Sequence, residues 1–510
     1  MEGLIQDIRY AGRKMLRTPV FTIAVVLMVA LAIAANTSIF SFVNAELIRP
    51  TPFREPKRIV QVAEKNDKLN LPSFGASVLN FLSWREQQHS FEEIAAVGFN
   101  TYTLTGSGEP EQVYGNLISP ALTRVLGVSP IAGRAFTEDE EKPGATSVAM
   151  ISQALWKRRF GGDRSLLGRS VTLNGQATTI VGIAPDTLSL ISAADIYTPL
   201  TIDPPKELRL NHVLLVFARL KQGVSMEQAQ SEMDAISAGI DRRYPEMHDW
   251  GIRLVTMKET FVSSDLNTAL LVLLGAVAFV LLIACANMAN LLLSRAVARQ
   301  QEMAVRTAAG ASRSRLIRQL LIESIALALI GGLIGLFVAF GAVRVINRAL
   351  PPNTLPIPEV HVDATVLLFA VTSTVVTGLL FGLAPAWRMT KLDINEVLKQ
   401  TARGASGGTR ARLRNGLAAA ELALATILLI GAGLLIKTLA NLEHAHVGFD
   451  SRGLITFQLS LPTAKYPLNA QMPQFYHALL DSLQAIPGVR GAAVSSGIPF
   501  GAGSYTTSPV

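Results

Sequence analysis

The sequence holds one cysteine among 510 residues. Cys285 lies inside an apolar run, which excludes an intrachain disulfide and makes the thiol a small packing residue. Charge is scarce too: 16% of residues are charged and 49% hydrophobic, with a mean hydropathy of +0.35. That is too apolar for an ordinary soluble chain and too polar for one that is all membrane helix. A few spans plus a large water-soluble domain give this average. Aromatic residues reach only 6% and are not interleaved with basic ones, which argues against a nucleic-acid partner. No phosphate-binding G-x-x-x-x-G-K-[ST] loop is present. In the nearest string, Gly162–Ser170 (GDRSLLGRS), the glycines stand one residue too far apart and Arg169 occupies the lysine position. Any ATP must then be handled by another chain. G-x-S-x-G and H-E-x-x-H are also missing, so the chain offers no catalytic residue, no cofactor site and no enzyme reading. Its 7 histidines are scattered. His444 and His446 approach each other just beyond an apolar run, where interfacial anchoring is a better reading than a metal site. The acidic run Glu138–Glu141 reads as a Thr137-x-x-Glu140 capping box rather than a calcium loop.

Long apolar runs are what the sequence does have. Residues 1–18 carry Arg9, Arg13, Lys14 and Arg17, with Leu4, Ile8, Ala11 and Met15 at helical spacing. This predicts a cytoplasmic amphipathic helix on the membrane surface. Residues 19–45 carry no charge and suffice to cross a hydrocarbon core of about 30 Å. Ala32-Ile33-Ala34 resembles a signal-peptidase site, but the run continues to Val43, so a retained anchor is the better reading. Further spans are predicted at 267–294, 324–343, 364–387 and 417–439, the last an apolar run Leu422–Ile436 extended past Glu421 and Lys437 at its edges. Between the spans lie a domain at 46–265, a basic elbow at 295–323, a short loop at 344–363 and a linker at 388–414. A second soluble stretch covers 443–510.

Within 46–265, strands are predicted at Arg58–Ala63, Val148–Ile151, Ser170–Leu173, Thr178–Ile183 and Leu214–Leu220. Asn174-Gly175 is a hairpin turn signal. Amphipathic helices are predicted at Val78–His89 and Met226–Tyr244. The fold class is a polytopic α-helical membrane protein, about five spans, with a large mixed α+β periplasmic domain. The net charge of +8 then reads as the basic flanks of the spans. Lys and Arg number four in the N-terminal segment, six in the elbow, two in 344–363 and seven in 388–414. That bias places the N-terminus, elbow and linker in the cytoplasm and residues 46–265 outside the inner membrane. A weak repeat relates residues 13–97 to 410–494. RIVQVAE (Arg58–Glu64) matches GLITFQL (Gly453–Leu459), and FEEIAAV (Phe91–Val97) matches VRGAAVS (Val489–Ser495). It implies a duplicated module. The second copy stops inside its soluble part, which reads as a fragment or truncated relative of a longer protein.

The elbow, Ser294–Glu323 (SRAVARQQEMAVRTAAGASRSRLIRQLLIE), is the candidate functional element. It reads as two short helices broken at Gly310-Ala311, the second opened by Ser312. Glu302 and Arg306 stand one turn apart and can pair. Apolar Met303, Val305, Leu316 and Ile317 suggest a shaped contact surface rather than a generic basic anchor. Two GxxxG patterns, Gly331–Gly335 and Gly378–Gly382, allow close helix packing. They serve either one module internally or a contact between two protomers or modules.

The layout and four strings carry a family resemblance. The elbow string EMAVRTAAGASRSRLIRQLLIES (Glu302–Ser324) and the domain string Gly127–Pro185 resemble the MacB/FtsX-type permeases of ABC systems. With DINEVLK (Asp393–Lys399) and NLEHAHVGFDSRGLITFQLSLPTAKYP (Asn441–Pro467), they are similar to a subgroup of duplicated orphan permeases of acidobacterial type. The resemblance implies that a separate ABC ATPase docks on the elbow, at Arg299, Glu302, Met303, Arg306 and Gly310. It also implies that the spans relay movement to the outer domain, which acts on a periplasmic protein partner or cargo, without substrate passing between the helices. No span carries the polar stripe that a hydrophilic pathway needs. The implied function is an efflux or mechanotransmission permease. The competing reading is an ATP-independent envelope scaffold, or a regulator of a periplasmic envelope enzyme.

Overall fold

The computed structural model describes residues 2–49, 51–106, 108–262, 264–298, 313–350, 360–390 and 408–444. Beyond these it describes 453–457, 459, 461 and 472–495. It divides into two compact units: residues 1–49 with 262–453, and residues 50–261 with 454–510.

The chain opens with α1 (Glu2–Arg17) and α2 (Pro19–Val43), separated by Thr18. Proline suits the first position of α2, where its missing N–H leaves nothing unpaired. A π-helical turn, Asn44–Ile48, ends that helix. The second unit follows with β1 (Ile59–Asn66), β2 (Leu71–Phe74), β3 (Ala76–Ser77), α3 (Val78–Gln87), β4 (Phe91–Thr105), β5 (Glu111–Ile118) and α4 (Leu122–Leu126). It continues through β6 (Ala132–Gly133), β7 (Val148–Ser152), α5 (Gln153–Phe160), β8 (Ser170–Leu173), β9 (Gln176–Ala184) and β10 (Ile196–Pro199). It closes with β11 (His212–Leu220), α6 (Met226–Arg243), β12 (Trp250–Thr256) and α7 (Met257–Phe261). Long helices come next: α8 (Ser264–Ala298), α9 (Arg313–Ala349), α10 (Ala364–Thr390) and α11 (Gly408–Glu443). The last described helix is α12 (Met472–Gln484).

In the second unit the strands form one mixed sheet, ordered β12-β1-β11-β4-β5-β10-β7-β9-β6. β5–β10 and β7–β9 are parallel and the neighbouring pairs antiparallel. Side chains of β1, β4 and β11 alternate between two buried faces, as the pleat requires. Val60, Val62, Ile94, Ala96, Val216 and Ala218 pack with α3 and α6. Ile59, Ala95, Val97 and Phe217 pack with α4 on the other face. A third core gathers Leu155 of α5 with β7, β8 and β9. The expected hairpin is present: Leu173 pairs with Gln176, and Asn174 and Gly175 take φ of 50° and 84°. Both positive angles belong to a type I′ turn, which glycine adopts without steric cost. The outer edge of β12 is also occupied. The Gln230 side chain donates to the Ile252 carbonyl at 3.0 Å and accepts from the Leu254 N–H at 2.8 Å. An amide thus stands in for the missing neighbour strand and blunts the edge.

Two expectations change. GLITFQL at 453–459 forms no strand among its described residues, and Leu454, Ile455 and Phe457 are exposed. A strand needs a partner. In the first module β1 has β11 and β12 on its two sides, more than 150 residues downstream. A helix does follow each of the two stretches, α3 after the first and α12 after the second. The second change concerns the elbow. Its C-terminal half, from Arg313, is not a separate short helix but the first turns of the continuous α9.

Candidate functional site

Five described helices are long and apolar enough to cross a membrane: Pro19–Ile48, Asp265–Leu291, Ile317–Ala349, Ala364–Gly382 and Ala418–Asn441. Two apolar layers fix the relative directions of the first four. One layer joins Val25, Val29 and Ile33 of α2 to Met288 of α8, Leu327 of α9 and Phe381 of α10. The other joins Phe42 and Val43 to Leu270, Val343 and Val360. The late part of α8 therefore lies level with the early part of α2, and α9 runs alongside α2 in the same direction. The C-terminal end of α8 and the start of α9 both lie at the first layer's end. Residues 49 and 262 both lie at the other.

Glycine sets how closely these helices approach. A methyl group on Gly335 would stand 2.6 Å from the Ala30 carbonyl oxygen and 3.2 Å from its Cα. On Gly331 it would stand 2.7 Å from Val29 Cβ. These are backbone-level contacts between α9 and α2. On α10, a methyl on Gly378 would stand 3.0 Å from Ala328 Cβ and 3.1 Å from Ile325 Cα. On Gly382 it would stand 2.7 Å from Leu321 Cδ2. All four glycines thus face neighbours within this chain. Sequence reasoning missed Gly332, about 100° around α9 from Gly331, where an added methyl would stand 2.5 Å from Thr374 Cγ2 of α10. Its position beside Gly331 was the available signal.

Polar contacts tie the same helices at three heights. At one end, Lys14 of α1 forms an ion pair with Glu323 of α9, both largely buried. In the middle, Asn36 of α2 donates to the Val277 carbonyl of α8 at 2.8 Å. At the other end, Asn44 donates to Asp363 at 2.9 Å, and Asp363 in turn caps α10 by accepting from the Val366 N–H at 3.0 Å. Asn36, Thr37, Ser38 and Ser41 of α2, with Asn44 just after it, make the C-terminal end of this span more polar than the sequence reading allowed. They are buried against neighbouring helices, and Ser41 returns its hydroxyl to the Thr37 carbonyl at 2.8 Å. Helix-to-helix polar contacts of this kind serve packing in lipid.

The docking residues named from the sequence, Arg299, Glu302, Met303, Arg306 and Gly310, lie outside the described residues, as does Ser312. In the second unit each acid of the 138–141 run has a basic partner. Glu138 meets Arg124 at 2.6 Å, Asp139 meets Lys142 at 2.6 Å, Glu140 meets Arg134 at 2.6 Å and Glu141 meets Arg85 at 3.1 Å. The Thr137–Glu140 capping box is formed. Burial pushes the Glu140 carboxyl up, but the Arg134 guanidinium and the Thr137 N–H outweigh it and hold the group below its ordinary value. Burial raises Glu141. Among the described residues no three His, Cys, Asp or Glu side chains gather as a metal site would.

Residues 22–236 match the family described as MacB-like periplasmic core domain, and residues 268–394 match the FtsX-like permease C-terminal family. The chain belongs to the MacB/FtsX-type permeases. It is 28% identical over 276 residues to the uncharacterized ABC transporter permease YknZ of Bacillus subtilis, covering 52% of this chain and 65% of that one. It is 26% identical over 283 residues to the macrolide export ATP-binding/permease protein MacB of Wolinella succinogenes, covering 54% of this chain and 42% of that one. The chain thus spans less than two thirds of the length of these relatives. Among solved structures it is similar to the extracellular domain of YknZ, with 14% identity, a TM-score of 0.30, and coverage of 38% of this chain and 99% of that one. The permease is a multi-pass α-helical membrane protein with a mixed α/β domain between its first two spans. Its FtsX-like region begins in α8 and takes in all of α9 and α10, the helices whose packing is described above.

Proposed function

We propose that this permease is the membrane subunit of an ABC-type export or mechanotransmission system. In this reading a separate cytoplasmic ATPase docks on residues 299–310 through Arg299, Glu302, Met303, Arg306 and Gly310. The permease then carries the resulting movement to residues 50–261, which act on a periplasmic partner or cargo. The chain supplies no catalysis of its own; it lies in the inner membrane with its N-terminus in the cytoplasm. Gly331, Gly335, Gly378 and Gly382 form the seam that keeps the spans in step.

One observation carries this reading. α9 starts within the elbow, at Arg313, and is packed on α2 at backbone distance, and the far end of α2 leads toward the soluble domain's first residues. Close-packed helices move as units rather than deforming. A displacement at the elbow end of α9 is therefore delivered to α2 without loss in soft side chains. The lack of a nucleotide loop supports an ATPase on another chain.

The test is co-purification of the tagged full chain from membranes, with and without the pair of charge reversals Glu302→Arg and Arg306→Glu. The expected result is an ATPase subunit bound to the unaltered chain and lost by tenfold or more from the double variant. Undiminished association would reject the elbow as its dock. A chain that retains only a periplasmic partner would move the assignment to an ATP-independent scaffold.

A further inference from the structure

We propose that the exposed face of α1 is a binding site for anionic phospholipid headgroups. Arg9, Arg13 and Arg17 follow one another at intervals of four, which places them in one row along the helix. All three are exposed, and among the described residues none has a carboxylate partner. Lys14, the remaining cation in this part of the helix, points elsewhere. It forms the ion pair with Glu323 and lies 5.7 Å from the Tyr10 ring centroid. Ala11, at 1% exposure, packs on the protein. The Lys14–Glu323 contact and the buried Ala11 therefore set the rotation of α1 about its axis and turn the arginine row outward.

The row is not purely polar. Leu16 comes three residues after Arg13 and seven after Arg9, so it shares their face, and it is 82% exposed. Val20, just past the break into α2, is 82% exposed as well. An acidic protein surface would satisfy the arginines and leave Leu16 unexplained. The boundary between headgroups and acyl chains accommodates both, because guanidinium stems lie along apolar surface while their heads reach phosphate. Guanidinium groups also present paired donors that fit phosphate oxygens. Each basic residue next to an anionic leaflet strengthens attachment about fivefold, so three compound to about a hundredfold. Three is also the number of arginines left over once Lys14 is taken up by Glu323.

The probe is an environment-sensitive fluorophore on Leu16→Cys in a Cys285→Ser background, using the full chain in nanodiscs. One set of discs is phosphatidylcholine; the other is an equal mixture of phosphatidylcholine and phosphatidylglycerol. The expected result is an apolar shift of the label with phosphatidylglycerol, reversed by molar salt. Changing Arg9, Arg13 and Arg17 together to Gln should raise the phosphatidylglycerol needed for half the shift by about tenfold or more. Changing all three to Lys should preserve the response, which guards against a folding defect. The proposal is overturned by an equal signal in both lipids, by a full shift in the Gln variant, or by loss in the Lys variant. It also falls if the label responds only to an added ATPase, because the row would then face protein.

Discussion

Glu64 is the residue on which one corner of the soluble domain depends, and nothing in RIVQVAE announced it. Its carboxylate is 1% exposed. It accepts from the Ser77 N–H at 3.1 Å and from Asn80 Nδ2 at 2.8 Å, and it pairs with His212. β1, the start of α3 and the start of β11 meet at this one side chain. His212 stacks on Trp250 with centroids 4.1 Å apart, while Arg209 lies over the Tyr244 ring at 3.9 Å. Replacing Glu64 with Ala would leave buried donors without an acceptor and a buried histidine without its carboxylate neighbour. The expected loss is about 3–5 kcal/mol. Thermal unfolding of the full chain in detergent should show it, with Asp139→Ala, an exposed carboxylate, as a near-silent control. Equal melting of the two variants would remove Glu64 from this role. The partners of Glu64 come from two segments other than its own strand, so sequence reasoning had no pattern to recognise.

Elements fared differently according to how local their signals are. The Asn174-Gly175 hairpin, the capping box at Thr137 and both amphipathic helices of the soluble domain were legible, because each depends on neighbours within a few residues. The helices end at Gln87 and Arg243, one or two residues short of expectation. The long strand β4 was not read as a strand, since its central part is buried on both faces and shows no simple alternation. The glycine seam was half legible. GxxxG predicts close approach but not the partner, and the contacts of Gly331 and Gly335 turn out to be with α2. Gly335→Val should push α9 away from α2 and cost about 1–3 kcal/mol. Gly341→Val, on the same helix with nothing within 4 Å, should change stability by less than about 0.5 kcal/mol. Comparing the melting and membrane yield of the two variants decides the matter; equal loss at both positions would mean that helix propensity, not packing, governs.

The whole molecule places its sequence features on two sides of a bundle. The two apolar layers put the N-terminal helix and the ends flanking 299–312 on one side, and residues 49, 262 and 360 on the other. The charge bias argues that the first side is cytoplasmic. In a Cys285→Ser background, Lys68→Cys should react with a membrane-impermeant maleimide in intact spheroplasts, and Arg13→Cys only after lysis. The reverse pattern would invert the orientation and with it the ATPase proposal.

The sequence alone determined the number and approximate positions of the apolar helices, the alternation of charge between them and the family. Hydrocarbon thickness and charge placement act on contiguous stretches, so they are written locally. Only the tertiary structure decided that Lys14 meets Glu323, 309 residues away, that α9 lies on α2 at backbone distance, and that Glu64 gathers three segments. Such contacts belong to no stretch of sequence. They arise when packing brings distant backbones close enough that a missing Cβ or a single buried charge sets their spacing.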